Sequence, residues 1–94
     1  MPEQMHFDFE LTDDSHCAIL RTNLALTEGE VEHYANLIDA DEGSFTAQRL
    51  AQVVGLQALT LHPNHVLLYR DPEMPPDWDT IAAQAIAALK DAFL

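Results

Sequence analysis

The chain is short of cysteine, of glycine and of positive charge, and each scarcity removes a class of protein. A lone cysteine, Cys17, forms no internal disulfide and excludes a CxxC cluster site within one chain. Four lysines and arginines stand against sixteen aspartates and glutamates, for a formal net charge of −12. Such a polyanion repels phosphate backbones and anionic headgroups, and Arg21, Arg49, Arg70 and Lys90 form no cluster in the sequence. Binding to nucleic acid or membrane is therefore not expected. No apolar run approaches the roughly 18–20 residues that cross a bilayer. Met1-Pro2-Glu3-Gln4 lacks the basic region and apolar core of a secretory signal, so a cytoplasmic protein is expected. There is no phosphate-cradling glycine loop, no GxSxG and no HExxH. With no nucleophile–base arrangement, neither an enzyme nor a cofactor is expected.

What is present reads as one domain spanning residues 1–94, because 94 residues build a single modest core and the 48% apolar content is too high for a disordered polymer. Phe7, Phe9 and Leu11 alternate with Asp8 and Glu10, the period-two pattern of a half-buried strand. Thr12-Asp13-Asp14-Ser15 is turn chemistry, and His16 to Thr22 continues as a second strand of a hairpin. From Leu24 to Ile38 the pattern is divided. Thr27 and Glu30 fit a capping box, with Val31, Tyr34, Ala35 and Ile38 at helical spacing. Val31, His33, Ala35 and Leu37 would equally make one side of a strand.

Asp39-Ala40-Asp41-Glu42-Gly43 reads as an acidic loop leading to Ser44, an N-cap. The helix that follows carries Ala47, Leu50, Ala51 and Val54 as its apolar stripe, and Gly55 closes it as a left-handed cap. A second hairpin joins Leu56–Leu61 to Val66–Tyr69 through His62-Pro63-Asn64-His65. The unbroken run Val66-Leu67-Leu68-Tyr69 marks a central strand, covered on at least one face. The prolines of residues 71–76 stop that strand. Asp77 then caps a closing helix with Trp78, Ile81, Ala82, Ala85, Leu89 and Phe93 on one side. The expected fold is α+β, a two-layer α/β sandwich of order ββ(β)αββα, with a mostly antiparallel sheet and helices packed on one face.

Gly55-Leu56, the strand pair around Leu59-Thr60-Leu61 and Val66–Arg70, the acidic loop and Asp77-Trp78 come in a recognisable order. In that order and spacing the chain resembles the N-terminal domain family of Nfu/NifU-type iron–sulfur scaffold proteins, from about Phe7 to Phe93. The family's proline- and asparagine-rich first turn is replaced here by Thr12-Asp13-Asp14-Ser15. The resemblance implies that Val31 to Leu37 is extended, a third strand. It also implies a stand-alone N-domain without the CxxC that holds the cluster in a separate C-terminal domain of multi-domain relatives. The function it implies is a non-enzymatic accessory or protein-interaction domain in iron–sulfur cluster assembly or delivery, with a protein partner from that process. A cluster bridged by Cys17 from two chains would have half the usual four thiolates.

The alternative is a small metal-binding protein using histidine and carboxylate side chains. His62 and His65 across the second turn, and Cys17 beside His16, are its candidate ligands. Their structural readings, as polar turn residues and a half-buried thiol, are favoured, since His16 and Cys17 would face opposite ways on one strand. The carboxylate pairs Asp13-Asp14, Asp39-Asp41-Glu42 and Asp77-Asp79 read as solvated loop charge and a helix cap. Trp78, with Met74 and Asp77 beside it, is the candidate partner-binding patch. Its competing role is that of a core anchor at the sheet edge.

Overall fold

In the computed structural model, which describes residues 5–71, 73, 75 and 77–93, a five-stranded antiparallel sheet carries three helices. The elements are β1 (Phe7–Leu11), β2 (Cys17–Thr22), β3 (Glu32–Tyr34), α1 (Leu37–Asp41), α2 (Phe45–Leu50), β4 (Leu56–Leu61), β5 (His65–Arg70) and α3 (Trp78–Phe93). The strand order β1-β2-β5-β4-β3 puts β5 at the centre. This is the α+β sandwich expected, with one helix more than the pattern suggested.

Register fixes which side chains face the helices. Leu20, Val66 and Leu61 form one rung, and Ala18, Leu68 and Leu59 the next. All six are fully buried, as are Leu50 of α2 and Ile81, Ala85 and Leu89 of α3 that pack on them. Each valine, leucine or isoleucine among them contributes roughly 1.5–3 kcal/mol on burial, so these two rungs and the helix stripes hold the layers together. Helices α2 and α3 run antiparallel. Arg49 Nη1, in the last turn of α2, meets Asp91 Oδ2 at 3.3 Å, and Val54 N, just past that helix, donates at 3.1 Å to Oε1 of Gln84, earlier in α3.

The first hairpin turn is fixed by its own side chains, the second partly by contacts from outside. In the first, Asp14 Oδ1 accepts from His16 N at 2.8 Å while Thr12 Oγ1 accepts from Asp14 N at 3.1 Å. In the second, His62 N donates to His65 O at 2.9 Å, closing a loop of Pro63 and Asn64. Two-residue hairpins favour positive-φ turns, yet no non-glycine residue here has positive φ. The tip is instead held from outside, where Thr22 N donates to Asn64 O at 3.0 Å and Leu26 N to Pro63 O at 2.8 Å.

The divided segment resolves into both of its readings, in sequence. Glu32–Tyr34 pairs with β4 as the third strand, shorter than Val31–Leu37, and the chain then turns helical. Asn36 causes the switch: its Oδ1 accepts from Asp39 N at 2.8 Å, capping α1. The expected acidic loop is therefore largely helix, with only Glu42 and Gly43 outside it. Val31 and Ile38, placed on apolar stripes by the pattern, are exposed. The capping box at Thr27 fails because Gly29 adopts φ 105°. Thr27 Oγ1 instead closes a turn on Glu30 O at 2.5 Å.

Ser44 caps α2 as expected, its Oγ accepting from Ala47 N at 3.3 Å, but the α-helix ends at Leu50. Beyond it Gln52 N bonds Arg49 O and Val53 N bonds Leu50 O, the tighter i→i+3 pattern. Three residues per turn put Val53 rather than Val54 under Leu50, so Val53 is buried and Val54 is 66% exposed. Gly55, at φ 100°, then reverses the chain into β4.

Tyr34 locks α1 and α2 to the sheet edge. Its hydroxyl donates to Glu32 Oε1 at 2.6 Å and accepts from Ser44 N at 3.3 Å, and the ring lies against Gly43. A Cβ on Gly43 would sit 2.5 Å from Tyr34 Cε1. Gly43→Ala is expected to cost about 1–3 kcal/mol by overpacking. Denaturant unfolding should show most of that loss relieved in a Tyr34→Leu background; an equal loss in both backgrounds refutes the contact as its cause.

Candidate functional site

The helices cover one side of the sheet, and the other side is open. Its residues follow from the same register. Cys17, Tyr69 and Ala58 form one rung, and Ile19, Leu67, Thr60 and His33 the next. Asp8 and Glu10 flank this strip from β1, beside Arg21 and Ile19. Arg21 pairs with Glu10, both largely exposed. Cys17, Ile19, Ala58, Leu67 and Tyr69 are each half-buried by their neighbours alone.

A register irregularity between Leu56 and Ala58 makes Gln57 the extra residue of β4, so it projects with Ala58 instead of alternating. A concavity of about 460 Å³ lies there, lined by His16, His33, Ala35, Gln57, Ala58, Tyr69 and Arg70. His33 Nδ1 is 2.7 Å from Thr60 Oγ1, which sets the plane of its ring at the rim. None of the lining residues is a carboxylate, although the chain has sixteen. The site can accept an apolar or aromatic side chain, with imidazole, phenol and amide groups around it.

Of the ligands considered from the sequence, His62 and His65 do come together. Their rings stack at 4.1 Å with an interplanar angle of 12°. Stacked imidazoles direct their in-plane lone pairs along parallel planes, so the pair does not converge on one ion at about 2.0–2.1 Å. Burial, then His62 and Arg21, pushes the His65 imidazole below its ordinary value, favouring the neutral ring. Cys17 pairs with Tyr69 while His65 pairs with Arg21, four residues away along β2, or about 13 Å. Among the described residues, no group of three His, Cys, Asp or Glu side chains could hold a metal ion.

His16 departs from the expected strand geometry. It precedes β2 and lines the concavity, so it and Cys17 border the same face rather than opposite ones. Burial, followed by the nearby Asp14 carboxylate, raises the Cys17 thiol, which therefore stays protonated at neutral pH.

Trp78 sits at the opposite, helix-covered side. Its ring packs on Phe9 at 5.9 Å, the Arg70 guanidinium lies 5.6 Å from its centroid, and its Nε1 donates to Ser15 O at 3.2 Å. It thus pins the start of α3 to the first hairpin turn. Asp77 is exposed and acts as the N-cap, accepting from Thr80 N at 3.0 Å; that hydrogen bond lowers its carboxyl. Met74 lies outside the described residues. The concavity and its neighbours His33, Gln57 and Tyr69 were not singled out by sequence reasoning. The available signal was the apolar continuity of Val66–Tyr69 and Cys17–Leu20.

No family model matches the chain, and no curated protein sequence matches it. Solved structures do. A NifU-like protein from Saccharomyces cerevisiae, determined by solution NMR, superposes with a TM-score of 0.75 at 16% identity, covering 97% of this chain and 82% of its own. The crystal structure of protein SAV1430 from Staphylococcus aureus gives a TM-score of 0.63 at 14% identity, covering 87% of this chain and 94% of its own. At these identities the likeness establishes a shared, NifU-like fold. No helix among the described residues is long and apolar enough to cross a membrane.

Two outcomes follow from this geometry. Trp78→Ala should destabilise the fold by about 2–3 kcal/mol, below the full-core figure because the ring is only partly buried, as read by thermal or denaturant unfolding. Cys17 should alkylate slowly at pH 7, with a rate that keeps climbing past the ordinary thiol value near 9 instead of levelling off there, because the raised group holds its proton longer. Asp14→Asn should speed the reaction modestly, and a fast rate in the unmodified chain at pH 7 contradicts the assignment.

Proposed function

We propose that the chain is a non-enzymatic, protein-binding domain acting in iron–sulfur cluster assembly or delivery. The observation that carries this reading is the NifU-like fold, shared over 97% of the chain with a NifU-like protein. The order of Gly55-Leu56, the second hairpin and Asp77-Trp78 supports it independently through the resemblance described above.

The chemistry of the chain limits how it would take part. One thiol, held protonated by burial and by Asp14, offers one quarter of the usual ligand set of a cluster. The thiolates therefore come from a partner, and the contribution of this chain is contact. Its open sheet face provides the surface for such contact. The stacked, non-convergent arrangement of His62 and His65 favours this reading over metal binding.

The test has two arms. The purified chain, incubated anaerobically with ferrous iron and sulfide, is expected to retain no visible-absorbing cluster after desalting. The tagged chain is expected to enrich CxxC-bearing cluster-assembly proteins from cell extract, measured by quantitative mass spectrometry. A cluster held by the chain alone, or no enrichment of those proteins, refutes the reading.

A further inference from the structure

The outer side of the central strands is composed as if it were an inner one. In an antiparallel sheet with one solvated face, strands alternate apolar and polar residues. The edge strand β1 obeys, with Phe7 and Phe9 inward and Asp8 and Glu10 outward. Over Cys17–Leu20 and Val66–Tyr69 the strands β2 and β5 do not, and their outward polar residues, Arg21 and His65, come only at the far end. Beneath their buried Ala18, Leu20, Val66 and Leu68 lie Cys17, Ile19, Leu67 and Tyr69 on the open side. Among the described residues no helix reaches that side, and the apolar strip is left half-buried by its own neighbours.

Its dimensions and borders describe an occupant. From β2 across β5 to β4 the strip spans two inter-strand spacings, about 9.6 Å, close to the 10–12 Å diameter of one α-helix with its side chains. The concavity at Ala58, Tyr69, Gln57 and His33 gives an apolar anchor side chain a place to enter. Around the strip the charge is negative. Asp8 and Glu10 lie along β1, offset in part by Arg21, while Asp14 of the β1–β2 turn is close enough to Cys17 to raise its thiol. A second copy of a chain of net charge −12 would bring the same sign to this border, which disfavours self-association.

We propose that the open face formed by Cys17, Ile19, Leu67, Tyr69 and Ala58 docks an amphipathic helix of a partner protein whose apolar stripe is flanked by lysine or arginine. The helix lies as a third layer, with one bulky side chain in the concavity and its basic flank toward Asp8, Glu10 and Asp14. This deepens the interaction role proposed above and rests on it, but the surface can be tested without reference to clusters.

The probe is a synthetic 18-residue Leu/Lys amphipathic helix, compared with a Leu/Glu helix of the same pattern, titrated into the full chain and followed by amide chemical shifts. Binding of the Leu/Lys peptide is expected to shift Cys17, Ile19, Ala58, Leu67 and Tyr69. The Leu/Glu peptide should not bind. Leu67→Lys should weaken binding at least about tenfold, one well-packed apolar contact plus one repelled charge. Ala87→Lys adds the same charge on the exposed side of α3 and should weaken it less than about threefold. Asp8→Asn with Asp14→Asn, which leave the apolar strip intact and keep an amide oxygen to accept from His16 N, should weaken it about threefold. Shifts centred on the helices, or equal losses from Leu67→Lys and Ala87→Lys, overturn the proposal by reducing the effect to bulk charge. If cluster-assembly proteins are captured equally well by the chain and by Leu67→Lys, this surface is wrong while the interaction role stands. If the peptide maps to the open face but no such protein is captured, the surface stands and the cluster role fails.

Discussion

The fold depends on a single constraint: strand β5 must satisfy neighbours on both sides at once. Its backbone pairs with β2 along one edge and β4 along the other, and Val66 and Leu68 fill the middle of the core. A slip of one residue would turn Val66 and Leu68 outward and bring His65, Leu67 and Tyr69 against the helices. Because β5 anchors both hairpins, such a slip would misplace every other strand. The tip of its hairpin is accordingly held by donors from outside the turn, Thr22 N and Leu26 N, so that the register is fixed at its origin.

The same constraint positions the open face. Once Val66 and Leu68 are committed inward, Leu67 and Tyr69 have only one other direction, and their partners Ile19 and Cys17 follow on β2. The irregularity at Gln57 then widens the surface at its β4 side into a concavity. Core and candidate surface are thus two sides of one pattern. Trp78 belongs to the first side, with its indole holding the first turn through Ser15 while Phe9 and Arg70 flank its ring.

Much of the architecture was legible because strong periodicity and strong punctuation coincided. The alternation of β1, the Pro63-Asn64 turn, Ser44 as a cap and the stripe of α3 each had a local cause that tertiary contacts did not override. Legibility failed where a single side chain redirected the backbone. Asn36 ended β3 and began α1 within a segment whose apolar spacing fitted both states. The end of α2 was misplaced because i→i+3 bonding shifts the helical phase, exchanging Val54 for Val53. The surface was harder to see than the core. Residue composition marked β5 as central, but only the pairing register shows that Cys17, Tyr69 and Ala58 share a rung.

Strand β5 also dictates the sequence of events by which the chain assembles. The pairs β1–β2 and β4–β5 each close over a short turn, so each can form from neighbouring residues alone. The β2–β5 ladder joins Ala18 to Leu68 across about half of the polypeptide and therefore carries the large loop-closure entropy. The docking of two preformed ribbons along β5 is thus the natural barrier to reaching the native state. Residues that act on that step, Ala18, Leu20, Val66 and Leu68, would govern how fast the molecule forms, whereas Trp78 and the helix stripes would govern how long it lasts.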